Sequence, residues 1–246
     1  MTSYSAESCE SKIKEYKKFL KEEKFNNIEI VYTKVPKITD GYIYKRRKML
    51  TESPIELRCN DELIMDLSVR EIQGTKESIR KAHGQCGVLG LGLGFYVQEI
   101  AKKEEVSEVI VYEINRDVID LYNKNFPSNS KVKIIEGNGF KAERKQFDFF
   151  FADIYSYKIS EDIAYDYEKL IELHDIEEYS FFGVEKFLLS CPMEELMSVY
   201  MPDEWMEMTK KCFDNVDKLG QVKNIKKLRR NEALKVLKEL ERILNN

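Results

Sequence analysis

Closely spaced cysteines and histidine clusters are both missing from this 246-residue chain, and their absence removes whole classes of chemistry. Structural zinc sites and redox dithiols need Cys or His within a few residues of one another. Here Cys9, Cys59, Cys86, Cys191 and Cys212 are scattered, and His83 and His174 are the only histidines. No metal site and no Ser/His/Asp or Cys/His catalytic set is therefore expected. An odd number of scattered thiols fits reduced, mostly buried cysteines in a reducing compartment. No run approaches the roughly 18 to 20 apolar residues of a membrane span. The first residues, MTSYSAESCESKIKEYKKFLKEEK, lack the apolar stretch of a signal peptide. The expectation is a cytoplasmic protein with no membrane partner. Internal repeats and low-complexity segments are also lacking.

What is present is a large apolar fraction, 43%, with 13 Phe and 14 Tyr, alongside 34% charged residues. That combination predicts a sizeable core under a well-solvated surface. The charge is uneven: residues 84–217 carry 14 Lys/Arg against 27 Asp/Glu, whereas residues 218–246 carry 9 against 3. Two basic runs, Lys45-Arg46-Arg47-Lys48 and KNIKKLRR at 223–230, have the composition that binds nucleic-acid phosphates. In so charge-rich a chain a solvated face is the preferred reading of both. The oligomeric state is not legible.

Periodicity divides the chain into three parts. Residues 1–83 read as an N-terminal extension: an amphipathic helix over 5–24, a strand over 28–35 halted by Pro36, and a hairpin. The hairpin strands are 55–59 and 62–68, joined at Asn60-Asp61. A helix over 69–84 follows, with Gly74 a weak point inside it. From residue 84 to 192, apolar strands alternate with helices: GVLGLG, EVIVYEI, KVKIIEG and FDFFFADI separate FYVQEIAKK and RDVIDLYNKNF. Strands apolar throughout and alternating with helices predict a parallel sheet covered on both faces. The fold class is therefore α/β, a Rossmann-like doubly wound, mainly parallel sheet. A helix is expected over 160–173, while 178–190 reads as a strand, a helix, or one running into the other. Residues 193–246 read as a helical C-terminal segment. Only one strand candidate, around Tyr179–Val184, follows the fourth, so the sheet is expected to be truncated.

The central motif is Gly90-Leu91-Gly92-Leu93-Gly94, between a strand and a helix. Glycines there let the backbone turn sharply and approach a ligand without a Cβ in the way. The helix that follows offers free N–H groups. The dinucleotide fingerprint G-x-G-x-x-G fails at its third glycine, since Phe95 stands there. Glu113 closes the next strand 19 residues past Gly94, where a carboxylate can accept two hydrogen bonds from a ribose diol. An acid preceding a helix N-terminus explains Glu113 as well. After the third strand comes Glu136-Gly137-Asn138-Gly139-Phe140, which is also a plain Asn-Gly turn. After the fourth comes Asp153-Ile154-Tyr155, beyond a strand end where ligands of such sheets sit.

Taken in order, VLGLGLGF, VIVYE, IIEGNGF and FFFADIY resemble the S-adenosylmethionine-binding half of class I methyltransferases and of the related spermidine synthases. The hairpin and HGQCGVLGLGLGF are similar to phage-associated methyltransferase-like proteins of unassigned substrate. The resemblance implies that Gly90, Leu91, Gly92 and Gly94 admit the methionine portion of S-adenosylmethionine. It implies Glu113 for the ribose, and Asn138 with Gly139 for the adenine, between Ile114 and Phe140. Asp153 and Tyr155 would then work at the transfer point. Two departures stand out: the Asn-Pro-Pro-Tyr signature of base-amino methyltransferases is absent, and the acidic residues that spermidine synthases carry after the fourth strand are only partly matched. The implied activity is methyl transfer to an acceptor the sequence does not identify. Aminopropyl transfer and a non-catalytic nucleotide-binding module are the alternatives.

Overall fold

The structure, a computed structural model, describes residues 5–33, 50–155, 162–199 and 224–245, with isolated positions between 203 and 214. Helix α1 (Ala6–Tyr16) starts where the Ser5 hydroxyl accepts the Ser8 N–H at 3.2 Å. It is shorter than its amphipathic pattern predicts. The chain turns after Tyr16 and enters a strand, β1 (Glu23–Phe25), that three charged and aromatic residues did not announce.

Strands β2 (Ile28–Tyr32), β3 (Ile55–Cys59) and β4 (Glu62–Leu67) extend β1 into an antiparallel sheet in sequence order. The expected hairpin is β3–β4, and Asn60 and Asp61 both adopt positive φ, 49° and 67°. Two positive-φ residues are what a two-residue hairpin turn requires, and Asn and Asp tolerate them best. The extension is thus a four-stranded sheet rather than a bare hairpin.

Helix α2 (Val69–Lys81) leads into β5 (Gly84–Leu89), and a regular alternation follows. It runs α3 (Phe95–Ala101), β6 (Val106–Glu113), α4 (Arg116–Asn125), β7 (Val132–Glu136), β8 (Gln146–Ala152), α5 (Asp162–Leu173), β9 (Asp175–Phe181) and α6 (Val184–Ser190). All five strands pair in parallel in the order β7-β6-β5-β8-β9. The fold is α/β and Rossmann-like. Among the described residues the sheet stops at five strands, and the ambiguous stretch resolves as a strand running into a helix. Short α7 (Met193–Leu196) and long α8 (Arg230–Asn245) complete the described chain.

Apolar side chains from both faces of β8 explain why the sheet is covered twice. Phe149 and Phe151 are fully buried in a core shared with α1, β2, β3 and α3, while Phe150 faces a second core with Tyr167, Leu170 and Tyr179. The antiparallel sheet therefore contributes Ile28, Ile30 and Leu57 to the same core as the parallel one.

Gly74, which reads as a weak point in α2, has a packing reason. A Cβ there would lie 2.5 Å from the ring of Phe182. Gly74→Ala is expected to lower the melting temperature. Overpacking of about 1–3 kcal/mol outweighs the roughly 1 kcal/mol that Ala gains in helix propensity. Thermal unfolding followed by circular dichroism checks this, and a raised melting temperature would contradict it.

Candidate functional site

The order of the sheet reverses at β5, whose neighbours β6 and β8 carry the chain away in opposite directions. The crevice beyond the carboxyl ends of these strands is where ligands of such sheets bind. All the site residues expected from the sequence lie at those strand ends.

Gly90 follows β5 at φ +94°, and its N–H donates to the Tyr112 carbonyl at 2.9 Å. A Cβ on Gly90 would stand 2.6 Å from the carbonyl oxygen of Asp153. Asp153 in turn donates its N–H to the Leu89 carbonyl at 2.9 Å. The glycine loop and the end of β8 are thus stitched together at backbone contact distance. Gly92 (φ +51°) opens toward the cleft. Gly94 (φ +76°) has another role, because it caps α3 and a Cβ there would meet the Tyr122 ring at 2.5 Å. The third glycine serves packing of the loop on α4, and neither Gly94 nor Leu91 lines the cleft.

Glu113 faces the loop. Its Oε2 accepts the Leu91 N–H at 2.9 Å and its Oε1 accepts the Asn115 N–H at 2.8 Å. Asn115 caps α4 by accepting the Asp117 N–H on its side chain at 3.0 Å. Glu113 therefore braces both the glycine loop and the start of α4, as expected of an acid preceding a helix N-terminus. Each carboxylate oxygen retains a second lone pair for a ligand.

Asn138 accepts the Phe140 N–H at 2.9 Å and so forms the local turn that its Asn-Gly pair also predicts. Gly139 lies against the sheet, where a Cβ would meet Leu89 at 2.5 Å. Phe140 lines the cleft wall, and Ile114 stands at its mouth, 74% exposed. Behind this turn is His174, fully buried and stacked on Tyr112 and Phe150. Its Nδ1 accepts the Lys145 N–H at 3.2 Å, and burial holds the ring below its ordinary pKa. His174, isolated in the sequence, is a core residue beneath the site. His83 contacts the Lys81 carbonyl through Nδ1 at 2.8 Å and the Phe149 ring, away from the cleft lining.

Asp153, Ile154 and Tyr155 form the opposite wall. Burial pushes the Asp153 carboxyl up to about 7, and raises the Tyr155 hydroxyl far above its ordinary range. The cleft enclosed by these elements is about 630 Å3, a size suited to a small organic ligand.

Apart from Leu89, Tyr112 and Ile154, which adjoin the expected motifs, the lining includes Leu63, Ile64 and Met65 from β4, Glu71 from α2, and Phe182 after β9, none of them legible as site residues. Only long-range packing of the antiparallel sheet and α2 brings them there, and no motif marks them. The charged side chains among the described lining residues are Glu71, Glu113 and Asp153, all acidic. The Met65 sulfur reaches the glycine loop itself. It lies 3.2 Å from the Leu93 N–H, and a Cβ on Gly92 would sit 2.2 Å from it.

Elsewhere, no group of three or more potential metal ligands occurs among the described residues. Burial pushes the Cys9, Cys86 and Cys191 thiols up to about 12, which keeps them protonated. Lys45–Lys48 lie outside the described residues. In the C-terminal basic run, Lys226 pairs with Glu177 at 2.5 Å, Arg230 with Glu195 at 2.7 Å, and Lys227 reaches the Leu189 carbonyl at 2.8 Å. No described helix is long and apolar enough to cross a membrane.

No protein-family model and no curated protein matches this chain. Solved structures do. A 23S rRNA methyltransferase, ErmE, aligns over 40% of this chain and 38% of its own, at 17% identity and a TM-score of 0.34. A conserved hypothetical protein from Streptococcus pyogenes aligns over 42% of this chain and 67% of its own, at 16% identity and 0.33. Spermidine synthase from Thermotoga maritima aligns over 79% of this chain and 65% of its own, at 12% identity and 0.44. The chain thus spans less than two thirds of the length of both named enzymes.

Proposed function

We propose that the protein binds S-adenosylmethionine in this cleft and transfers its methyl group to an acceptor. The observation that carries the reading is the pair of hydrogen bonds from Leu91 and Asn115 to Glu113, which holds a carboxylate beside the glycine loop at the carboxyl end of β5. That juxtaposition suits an adenosyl ligand: a diol for the carboxylate, and an extended tail along the glycine loop, where Met65 now reaches in from β4. Asn138, Ile114 and Phe140 stand where an adenine would lie against them.

When bound, the cofactor supplies an electrophilic methyl group on a cationic sulfur. The protein's part is to hold that methyl in line with the acceptor, which is chiefly positioning. Asp153, in its ionised form, stabilises the adjacent positive charge or takes the proton the acceptor releases. Glu71 adds a third carboxylate to the cleft and favours a second reading, aminopropyl transfer to an amine. Turnover of decarboxylated cofactor with putrescine distinguishes it. Binding of the cofactor without turnover on nucleic-acid, protein or small-molecule pools would leave a non-catalytic module.

The raised Asp153 pKa gives the reading a signed test. Below about 7 the carboxyl is neutral, and above it the carboxylate is present. Affinity for the cationic S-adenosylmethionine is therefore expected to rise about tenfold between pH 6 and pH 8. Affinity for uncharged-sulfur S-adenosylhomocysteine is expected to stay nearly flat. Because burial favours the protonated form in the folded protein, the unliganded protein loses stability over the same rise. Calorimetric titration of both ligands at the two pH values reads this. Equal pH dependence for both would remove Asp153 from the sulfonium.

A further inference from the structure

The Met65 side chain occupies the one part of the cleft that the adenosyl reading reserves for the ligand's own tail. Its thioether sulfur sits over Gly92 and accepts the Leu93 N–H at 3.2 Å. The strand is built to aim it there. Leu57 pairs with Met65 and Arg58 with Leu63, so Ile64 is an extra, bulged residue immediately before Met65. Bulges beside functional sites re-aim the following side chain. Leu63 and Ile64 remain about half exposed on the cleft rim, so the segment carrying Met65 is only partly packed.

We propose that Met65 is a specificity-determining residue whose thioether stands in for the ligand's methionine tail on the glycine loop. The proposal rests on the adenosyl reading of the cleft. In this state the cleft has its adenosine side open and its tail side filled by the protein. Adenine nucleosides lacking an amino-acid tail enter without displacing Met65, whereas ligands carrying the tail must move it. The exchange is feasible in chemical terms. A thioether is a weak acceptor, and a ligand carboxylate offers the same N–H a stronger, charge-assisted bond. Met is unbranched and swings through several rotamers. With no tailed ligand bound, the sulfur keeps the Leu93 N–H from being left without a partner.

The test uses the full chain and two calorimetric probes, S-adenosylhomocysteine with the tail and 5′-deoxy-5′-methylthioadenosine without it. Met65→Ala and Met65→Val both shorten the side chain so that it no longer reaches Gly92, and Val suits a strand. Both variants are expected to bind S-adenosylhomocysteine about fivefold tighter than the wild type, because the tail no longer displaces a resident group. Methylthioadenosine is expected to bind all three forms within about twofold, which also reports that the variants are folded. Unchanged or weaker homocysteine-ligand binding in the variants would make Met65 a wall of the site and overturn the proposal. A parallel shift for both probes would overturn it too, since that marks a general effect on the hairpin. Failure of both probes to bind any form would instead remove the adenosyl reading beneath it.

Discussion

Glu113→Gln is expected to weaken S-adenosylhomocysteine binding by about 100-fold, although it changes a single atom and almost no volume. Both carboxylate oxygens are engaged by backbone donors, Leu91 N–H on one side and Asn115 N–H on the other. A glutamine has one acceptor and one NH2 group. Whichever way its amide turns, a donor faces a donor, so either the glycine loop or the start of α4 loses its brace. Hydrogen bonds to charged groups contribute about 1.5–3 kcal/mol each, and a ribose diol held by the same carboxylate would lose its acceptor as well. Calorimetry reads the loss directly. A change below about threefold would mean that Glu113 braces the loop without holding a ligand.

Gly90→Ala is expected to cost about 2–4 kcal/mol of stability, with cofactor binding lost in parallel. Two effects add at this position. The backbone has φ +94°, where a side chain is strained, and the new Cβ would lie 2.6 Å from the Asp153 carbonyl oxygen. That obstacle is backbone, fixed by the Asp153–Leu89 hydrogen bond, so it cannot rotate away as a side chain would. Gly137 provides the control: it also has positive φ, +149°, but nothing lies within 4 Å of its Cβ position. In a chain of this size the Gly90 variant should melt on the order of 5–15 °C lower, and Gly137→Ala much less. Similar melting temperatures for both variants would show that the contact between loop and β8 is slack.

The parts of this fold that were legible share one property: their signal is local. FDFFFA is apolar on both faces because both faces of β8 are covered, and the Asn60-Asp61 pair marks a hairpin because its turn needs two positive-φ residues. The strand-end positions of Glu113, Asn138 and Asp153 follow from strand–helix alternation alone. What stayed hidden depends on packing between distant segments. β1 is three residues with no pattern, paired with β2 and tied to α4 through Glu23. Gly74 looks like a flaw until Phe182 is placed against it, and Gly94 looks like part of a ligand loop until Tyr122 is. Met65 and Glu71 reach the cleft only because the antiparallel sheet and α2 pack beside the crevice. No spacing along the chain encodes that.

The functional reading stands or falls with convergence of the glycine loop and Glu113 on one adenosyl ligand, and a crystal structure of the complex with S-adenosylhomocysteine is the decisive experiment. The expected result is the ribose diol on the Glu113 carboxylate, the adenine between Ile114 and Phe140, and the tail over Gly92 with the Met65 sulfur moved aside. An adenosyl group bound elsewhere, or a Glu113 carboxylate bonded only to Leu91 and Asn115 with the ligand out of reach, would refute it.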